Sequence, residues 1–540
     1  MHAQNKEPLA VPRLARWRQG AARAATELIT EIMANPCGTM SPSVYETARL
    51  VSSAPWLDGH GARCYFLLRT QRPDGWWGHA DGYGLVPTLS ATEALLHEVD
   101  RPRTDVLQPS AALLARAALK GLWAVADWLT VNGRDTVPDT IAAELIIPWL
   151  VDELNRQLAG SGGRLGATAL SLPVGIEGQA LARLRTAVAD GQALPERLWH
   201  TLEALGKQAA STPGVRLVAS AVGSSPAATA AWLAGRIRQE AAAGLLQETQ
   251  ARWGGPVPGV ISIAVFERAW VLGWLLDAGV PVTIPPQLLA CLENSLGRSG
   301  APAGPGLPAD CDDTAAVLHT LALIGRPAPL DALWAYETDS CFVCFPGERT
   351  PSTSTNAHAL EALLDAAPSG EPAGGCARRR TAARKIENWL LAQQDQNGFW
   401  DDKWHASPHY ATMCCTIALT RRHHPSTADA LARAERWTLA SQRPDGSWGR
   451  WEGTTEETSY AIQTLIRAYP GDLPPQVAHA VADGCVFLLD CQKEDPCPPL
   501  WHDKDLYAPL TVVKAARVAA LHAAATRLEA PRQPAAHTAQ

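Results

Sequence analysis

The sequence lacks the features that would mark a membrane or nucleic-acid-binding protein. Its 540 residues contain no apolar run of about 18 residues, the length that a helix needs to cross a bilayer. Its 47 basic residues are outnumbered by 54 acidic ones, and the formal net charge is −7. We therefore expect no membrane span, and no basic surface indicates nucleic acid as a partner.

The 12 cysteines have neither the spacing of a disulfide framework nor that of a zinc site. Cys341-x-x-Cys344 stands without the second matching pair that a structural zinc would need. We expect reduced, mostly buried thiols in a cytoplasmic protein. Phenylalanine (6) and tyrosine (8) are scarce beside 20 tryptophans, the side chain with the best face for a cation.

The most informative feature that is present is a group of carboxylates, Asp310-Cys-Asp312-Asp313-Thr-Ala, or D-x-D-D-T-A. It follows a Pro/Gly-rich stretch and opens an apolar helical pattern that continues to Ile324. Repulsion and desolvation raise the pKa of at least one such carboxyl if the group is buried, whereas a helix N-terminus stabilises anions by ~0.3–1 kcal/mol. The motif therefore indicates a buried Brønsted acid, with a helix N-cap or a calcium or magnesium loop as the alternative.

A second pattern, Q-x-x-[DN]-G-x-W, recurs along the chain. Clear copies begin at Gln71, Gln394 and Gln442, and a degenerate copy runs from Gln492 to Trp501. The last three copies start about 50 residues apart, and each follows a helical pattern. We predict helix pairs whose Gln and Trp residues fasten helix ends without doing chemistry. Stacked helix pairs can close into a double-ringed α/α barrel with an apolar pocket on its axis.

Together, the D-x-D-D-T-A motif and these repeats resemble the class II terpene cyclases, and the bacterial class II diterpene cyclases in particular. Five further segments resemble stretches of that family: Ser41–Ala48, Ala143–Pro148, Phe266–Trp270, Cys344–Glu348 and Asp503–Pro509. The resemblance implies an all-α fold of two α/α-barrel domains, called β and γ. It places the first part of the β domain at 1–55, an inserted γ domain at 56–250 and the main β domain at 251–540.

The resemblance assigns the acid to Asp312, which would protonate the terminal alkene of a prenyl diphosphate. Asp310 and Asp313 would orient it, and Thr314 would cap the helix. Because the aspartate-rich D-D-x-x-D motif of class I terpene synthases is absent, we expect the product to keep its diphosphate. That product would pass to a class I terpene synthase, and the enzyme would be a monomer or homodimer.

Two segments bear on the proton transfers. Resemblance suggests Asn356 as a hydrogen-bond partner of the acid, with a helix N-cap as an equal alternative, while His358 is interpreted as a core histidine. The segment that supplies the terminating base in plant enzymes matches Val174–Gly178, with Val in place of His. The final base therefore stays open, and so does the choice between a labdane skeleton and a rearranged halimane or clerodane skeleton.

The remaining candidates would bind the substrate. Aromatic walls for the cation are Trp270, Trp334, Trp404, Tyr410 and Tyr460, with core packing as the alternative for each. Candidate diphosphate partners are Arg268, Lys403 and Lys504, of which Lys504 fits best by context, with an ordinary surface lysine as its alternative. The family arrangement implies Mg²⁺ held by acidic γ-domain residues, here Asp135, Asp139 and Glu144, of which the first two could instead form a solvated loop.

The sequence thus predicts an all-α class II diterpene cyclase that acts on geranylgeranyl diphosphate. Three alternatives stay open. They are the same chemistry on farnesyl diphosphate to give a drimane skeleton, a zinc prenyltransferase subunit, which is also an α/α barrel, and a non-catalytic binding module of the same architecture.

Overall fold

The computed structural model describes residues 7–102, 108–131, 137–162, 169–234, 239–365, 373–422, 424–491 and 497–528. Its α-helices are α1 (Glu7–Ala34), α2 (Val44–Ser53), α3 (His60–Thr70), α4 (Leu85–Val99), α5 (Ala111–Val131), α6 (Ala143–Gly160), α7 (Gln179–Ala189), α8 (Pro226–Leu233), α9 (Glu240–Ala251), α10 (Ala264–Asp277), α11 (Pro286–Ser295), α12 (Cys311–Leu323), α13 (Thr353–Asp365), α14 (Ala373–Gln393), α15 (Pro408–Thr420), α16 (Ala428–Ala440), α17 (Thr455–Arg467), α18 (Pro475–Asp490) and α19 (Leu510–Leu528).

A kinked 3₁₀ segment spans Glu196–Ser211, and short 3₁₀ helices span Asp331–Tyr336 and Pro425–Thr427. Two-residue strands β1 (Trp501–His502) and β2 (Leu506–Tyr507) pair antiparallel. The predicted all-α class is confirmed. Across the described ranges, no helix combines the length and the apolar character needed to cross a membrane.

Six helices form a closed inner ring in the larger domain. α10 packs on α12, α12 on α13, α13 on α15, α15 on α17, α17 on α19, and α19 returns to α10. An outer layer of α1, α11, α14, α16 and α18 covers this ring. The larger domain is therefore the predicted α/α barrel, and the N-terminal helix α1 belongs to it.

The inner helices run in one direction. At their C-terminal ends, Arg421 after α15 pairs with Asp277 of α10 and, at 2.6 Å, with Asp365 of α13. At their N-terminal ends, Thr511 of α19 donates a hydrogen bond to Glu267 of α10. Parallel inner helices gather all six N-termini at one end of the barrel.

The inserted domain closes a second ring from α2, α4, α6, the 3₁₀ helix 196–211 and α8. The two domains meet at the segment before α19, where Asp505 accepts hydrogen bonds from Ser43 Oγ at 2.6 Å and from Tyr45 N at 2.9 Å. The N-terminal end of the larger barrel therefore faces the inserted domain.

The inserted domain begins earlier than residue 56. Tyr45, Ala48 and Val51 of α2 lie in the same apolar core as α4, α5 and α6. At the other boundary, Val257 packs in the inserted domain and Val260 in the larger one. The predicted boundary was placed after α2. The sequence does not reveal that the apolar face of α2 packs on helices α4, α5 and α6, which follow it in the chain.

The three clear Q-x-x-[DN]-G-x-W copies have the same hydrogen bonds. In each copy the Gln amide donates to the carbonyl of the repeat glycine and to a carbonyl of the following outer helix, at 2.8–3.0 Å. Each Trp Nε1 donates at 2.7 Å to a carbonyl in the preceding helix, that of Leu67, Leu390 or Thr438. The prediction that these residues fasten helix ends is confirmed.

The repeat glycines cannot be replaced without strain. Gly75, Gly398 and Gly446 have φ of 93°, 107° and 93°, and a Cβ there would approach a backbone carbonyl oxygen within 2.4–2.8 Å. The degenerate copy behaves differently. Gln492 lies outside the described residues, and Trp501 donates to the Glu456 carboxylate instead of a helix-end carbonyl.

Candidate active site

The carboxylate group lies at the N-terminus of α12, on the inner ring. Asp310 is the N-cap, and its Oδ1 accepts the backbone N–H of Asp313 at 2.8 Å. Burial raises the pKa of Asp310 to about 7. Burial, reinforced by the charge of Asp310, also raises the pKa of Asp313 well above its usual range. Near neutral pH the two buried carboxyls therefore retain a proton between them.

Thr314 does not cap the helix as predicted. Its Oγ1 donates to the carbonyl of Asp310 at 2.5 Å and accepts the N–H of Ala301 at 2.9 Å. The side chain thus fastens the Pro/Gly-rich stretch to the helix start. Asp310 takes the cap position because its side chain comes first and reaches the free N–H of the first turn.

Asp312 contacts a histidine from the neighbouring helix. Nδ1 of His358 lies 2.7 Å from Oδ1 of Asp312, and the two side chains are 8% and 14% exposed. Burial of the ring disfavours its charged form, but the Asp312 carboxylate outweighs this and raises the pKa of His358 above its usual value. His358 is buried, as a core histidine would be, yet its partner is the middle carboxylate of the motif.

Asn356 does not contact Asp312, the predicted acid, and bonds to the backbone instead. Its Oδ1 accepts the N–H of Phe342 at 2.9 Å, and its Nδ2 donates to the carbonyls of Phe342 and Ser352 at 2.8 Å. Both amide protons are therefore used on the backbone. It is not the N-cap either, because α13 already begins at Thr353. The sequence placed the partner of Asp312 two residues too early.

A cleft in the larger barrel is lined by His358, the residue that contacts Asp312. His358 and Trp270 line it in the second turns of their helices, and Glu361, His319 and Asp277 line it toward the C-terminal ends. His358 thus lines the cleft and also contacts Asp312. No sequence pattern indicates this polar lining, because each of these residues occupies an ordinary position in a helix.

Three of the five predicted aromatic walls come together next to His358. Trp270 meets His358 edge-on with ring centroids 5.2 Å apart, and its Nε1 donates to the Tyr410 hydroxyl at 3.1 Å. The rings of Tyr410 and Tyr460 are 5.4 Å apart. Of the three, Trp270 lines the cleft, whereas Tyr410 and Tyr460 have no exposed surface.

Trp334 and Trp404 lie elsewhere. Trp334 packs under the Arg378 guanidinium of the outer helix α14, 4.1 Å from the ring centroid. Trp404 stands at the end that faces the inserted domain, between Phe345 and the ammonium of Lys403. The sequence could not distinguish these two tryptophans from Trp270, which lies beside His358, because all three have similar mixtures of polar and apolar neighbours in the chain.

Sequence reasoning missed a buried carboxylate within the aromatic group. One oxygen of Glu456 accepts from Tyr460 OH at 2.8 Å and from Trp501 Nε1 at 2.7 Å, and it lies 3.2 Å from His405 Nε2. Its other oxygen is buried and has no hydrogen-bond partner in the described part of the chain. Glu456 lies in the first turn of α17, where an acidic residue is ordinary, so no pattern drew attention to it.

Lys504 is not available to a diphosphate. It is fully buried, and its ammonium donates to Glu46 at 2.5 Å, Glu203 at 2.8 Å and Ser225 at 2.9 Å. All three N–H bonds are therefore taken. Its role is to join the domains, because the three partners belong to the inserted domain and Lys504 to the larger one.

The other two predicted cations separate. Arg268 donates to Cys291 Sγ at 2.8 Å, toward the outer helix α11, and is not directed at the acid. Lys403 pairs with Glu348 at 2.7 Å and donates to the carbonyl of Thr350 at 3.1 Å. Lys403 therefore stays at the end of the barrel that faces the inserted domain.

Two arginines that the sequence reasoning missed lie where the domains meet. Arg197 of the inserted domain donates to the carbonyl of Pro346 at 3.1 Å. Arg349 reaches from the larger domain to Asp139 at 2.7 Å. This stretch adjoins the acid motif, because Cys344 accepts the N–H of the first residue of α12. The junction therefore brings these two arginines close to the segment that contacts the start of α12.

The structure describes two of the three predicted magnesium ligands. Glu144 lies in the first turn of α6, Asp139 pairs with Arg349, and Asp135 lies outside the described residues. In the described parts of the chain, no three His, Cys, Asp or Glu residues are grouped closely enough to hold a metal. Because Mg²⁺ is often held by one or two carboxylates together with substrate phosphates, Glu144 and Asp139 remain suited to it.

The segment that matches the plant terminating base is on the surface. The side chain of Val174 is 61% exposed, which is the highest exposure among the large apolar residues in the described ranges. The match at Val174–Gly178 therefore marks no base of the active site in this chain.

The His358–Asp312 contact predicts a pH-dependent stability. Because the folded-state pKa of His358 is raised, its stabilisation is fully present below the ordinary value of 6.5 and is lost as pH rises through the higher folded-state pKa. We expect His358→Gln to lower the free energy of unfolding by about 1–3 kcal/mol at acidic pH and by less at alkaline pH. Urea unfolding of both proteins across this range tests it, and a cost that grows with pH would contradict it.

A double-ringed α/α barrel that carries a D-x-D-D carboxylate motif at the N-terminus of an inner helix, facing a second helical barrel, is the arrangement expected of a class II terpene cyclase. Residues 372–504 match the family described as the squalene-hopene cyclase C-terminal domain. This matched segment lies within the larger barrel.

The chain as a whole has close relatives. It is 45% identical to an ent-copalyl diphosphate synthase of Streptomyces sp. (strain KO-3988), covering 94% of this chain and 97% of the relative. It is 39% identical to a labda-7,13-dienyl diphosphate synthase of Streptomyces clavuligerus, covering 95% and 94%. The solved structure of an ent-copalyl diphosphate synthase from Streptomyces platensis superposes with a TM-score of 0.87 at 46% identity, covering 93% and 99%. The chain belongs to the bacterial class II diterpene cyclases, and the predicted family and enzyme class are confirmed.

Proposed function

We propose that this enzyme cyclises geranylgeranyl diphosphate to a bicyclic labdane-type diphosphate and leaves the diphosphate in place. The observation that carries the proposal is the 2.7 Å contact between the largely buried side chains of Asp312 and His358, next to Trp270 in the larger barrel. The names of the relatives, copalyl and labdadienyl diphosphate synthases, support this substrate and skeleton.

In the proposed first step, the O–H bond of Asp312 breaks and a C–H bond forms at the terminal alkene. The alkene π electrons supply that bond and leave a tertiary cation, which two further alkenes attack in turn to close two rings. A C–H bond adjacent to the last cation then breaks, its electrons form the product alkene, and a base or water takes the proton. The atoms balance as an isomerisation, because one proton enters and one leaves.

The buried carboxyls beside Asp312 support this role. Since Asp310 and Asp313 retain a proton between them, they place less negative charge near Asp312 than two carboxylates would. His358 supplies the polar contact that orients the acid. Trp270 is the proposed aromatic wall, and a cation–π contact with it would contribute about 2 kcal/mol in a dry site.

The diphosphate is proposed to lie at the domain junction, near Arg197, Arg349 and Lys403. Mg²⁺, when bound, supplies positive charge that offsets the diphosphate. Glu144 and Asp139 are the proposed protein ligands. Arg349 would exchange its partner Asp139 for the diphosphate, because Arg binds phosphate in a bidentate manner.

Glu144 provides a specific test of the magnesium proposal. We expect Glu144→Gln to raise the Mg²⁺ concentration that gives half-maximal activity by roughly 10-fold or more. Glu177→Gln, which alters an exposed carboxylate of the same domain, is the matched control and should leave this concentration unchanged. Activity that survives complete chelation of Mg²⁺ would contradict the proposal.

The function is tested by incubating the purified protein with Mg²⁺ and geranylgeranyl diphosphate, with farnesyl diphosphate in parallel. Phosphatase treatment and gas chromatography–mass spectrometry identify the products. A bicyclic labdane alcohol from the C20 substrate is the expected result. A drimane alcohol from the C15 substrate alone, or a halimane or clerodane alcohol, would overturn the substrate or the skeleton. The retained diphosphate would suit the product to a class I terpene synthase.

A further inference from the structure

The first turn of α13, the helix that carries His358, is capped from another part of the chain. Ser352 is its N-cap, and Ser352 Oγ accepts the N–H of Thr355 at 3.0 Å. Asp402 Oδ1 accepts from Ser352 Oγ at 2.7 Å and from the backbone N–H of Thr353 at 3.0 Å. Asp402 Oδ2 accepts from Ser354 Oγ at 2.7 Å. The helix start, whose N–H groups have no partner within the helix, is thus held by one remote carboxylate.

The repeat architecture places Asp402 at this position. Asp402 is the second residue after the repeat tryptophan Trp400, whose Nε1 is fixed to the carbonyl of Leu390 at 2.7 Å. The corresponding residues in the other two clear copies are His79 and Arg450. Of these three copies, the one next to α13 is therefore the one with a carboxylate at this position.

The contact between His358 and Asp312 depends on how α13 lies against α12. His358 is in the second turn of α13, and Asp312 is in the first turn of α12. A hydrogen bond of 2.7 Å weakens steeply if either helix slides or turns, because its distance and angle ranges are narrow. The Asp402 carboxylate fixes both the axial position and the start of α13.

The charge of Asp402 acts in the same direction. Burial lowers the pKa of His358, while Asp312 on α12, Glu361 on its own helix and Asp402 raise it. The neighbouring helices also line this cleft: α10 with Trp270 and with Asp277, which pairs with Arg421, α12 with His319, and α15 with Met413 and Cys414. Loss of the Asp402 charge should therefore lower the pKa of His358.

We propose that Asp402 is a positioning residue for the protonation step. By capping α13 from the loop after Trp400, it sets His358 against Asp312 and helps this pair to retain the proton that Asp312 gives to the alkene. The proposal rests on the proposed cyclisation, because it concerns the acid of that reaction.

Asp402→Asn tests it, with Asp401→Asn as the matched control. Asp401 is the adjacent acid, its side chain is exposed, and it contacts α13 through its backbone carbonyl. In the full chain with Mg²⁺ and geranylgeranyl diphosphate, we expect Asp402→Asn to lower kcat by roughly 10- to 100-fold with KM little changed. We expect the alkaline limb of its kcat–pH profile to move to lower pH. Asp401→Asn should leave kcat and the profile unchanged.

The pH profile separates positioning from stability, since a variant that is only less stable would lose Tm without shifting the profile. A folded Asp402→Asn enzyme with kcat within about threefold of wild type and an unmoved profile would overturn the proposal. Equal losses in both variants would also overturn it. If Asp402→Asn does not fold, Ser354→Ala removes one of the hydrogen bonds and should give a smaller shift in the same direction. A wild-type protein that cyclises no prenyl diphosphate would refute the proposed function instead.

Discussion

Replacement of Asp312 by asparagine is expected to lower kcat for cyclisation by roughly 100- to 10,000-fold, the range that general acid catalysis supplies. Asparagine keeps the size of the side chain and can still contact His358, but it has no carboxyl proton to give to an alkene. KM should change little, because the predicted cations and metal ligands are untouched. The measurement is steady-state product formation with geranylgeranyl diphosphate, with Tm recorded for each protein.

Asp331→Asn is the matched control, since Asp331 is an exposed aspartate in the first turn of a 3₁₀ helix of the same domain. It should retain wild-type kcat. If Asp312→Asn cyclises the substrate at the wild-type rate, Asp312 is not the acid, and the buried pair Asp310 and Asp313 becomes the place to look for it. The result therefore decides between two sets of carboxylates that the sequence presents as one motif.

The parts of the fold that depend on local chemistry could be predicted from the sequence. The repeat needs a glycine with positive φ, a glutamine amide that reaches two carbonyls and a tryptophan that reaches back to the preceding helix. These requirements lie within a few residues, so a short pattern records them. The helix start is equally local, although the predicted cap, Thr314, was wrong and Asp310 is the cap.

The partner of Asp312 could not be predicted in this way. Asn356 and His358 are two positions apart on a helix, so their side chains point about 160° apart around its axis. Which of them meets Asp312 depends on the rotation of α13, and Asp402 fixes that rotation from a separate loop. The resemblance identified the correct helix, but the correct face of that helix is a property of tertiary packing.

Lys504 shows a different limit. A lysine between two aspartates is typical of a polar, exposed segment. The sequence shows which residues are charged but not which of them are buried. The structure places Lys504 between Glu46, Glu203 and Ser225, which come from distant parts of the inserted domain. The residue that resembled a diphosphate partner therefore has its charge balanced before any substrate arrives.

We expect Lys504→Met to lower the free energy of unfolding by about 3–5 kcal/mol, the cost of leaving buried carboxylates without their cation. Burial raises the pKa of Glu46 to about 7 although Lys504 opposes that shift, so loss of the lysine should raise it further. Urea unfolding followed by circular dichroism measures the loss. Lys514→Met, which removes an ion pair whose lysine is 48% exposed, should cost no more than about 1 kcal/mol.

A compensated variant separates the buried charge from the shape of the side chain. In the triple variant Lys504→Met, Glu46→Gln, Glu203→Gln, no buried ion lacks a partner, so most of the lost stability should return. If Lys504 instead served the diphosphate, Lys504→Met would stay as stable as wild type and show a raised KM. Because the lysine and its partners join the two barrels, the destabilised variant should also unfold in two transitions. The proposed diphosphate site lies at the domain junction. We therefore expect both the docking of the two domains and the binding of the substrate to depend on the buried ion cluster of Lys504, Glu46 and Glu203.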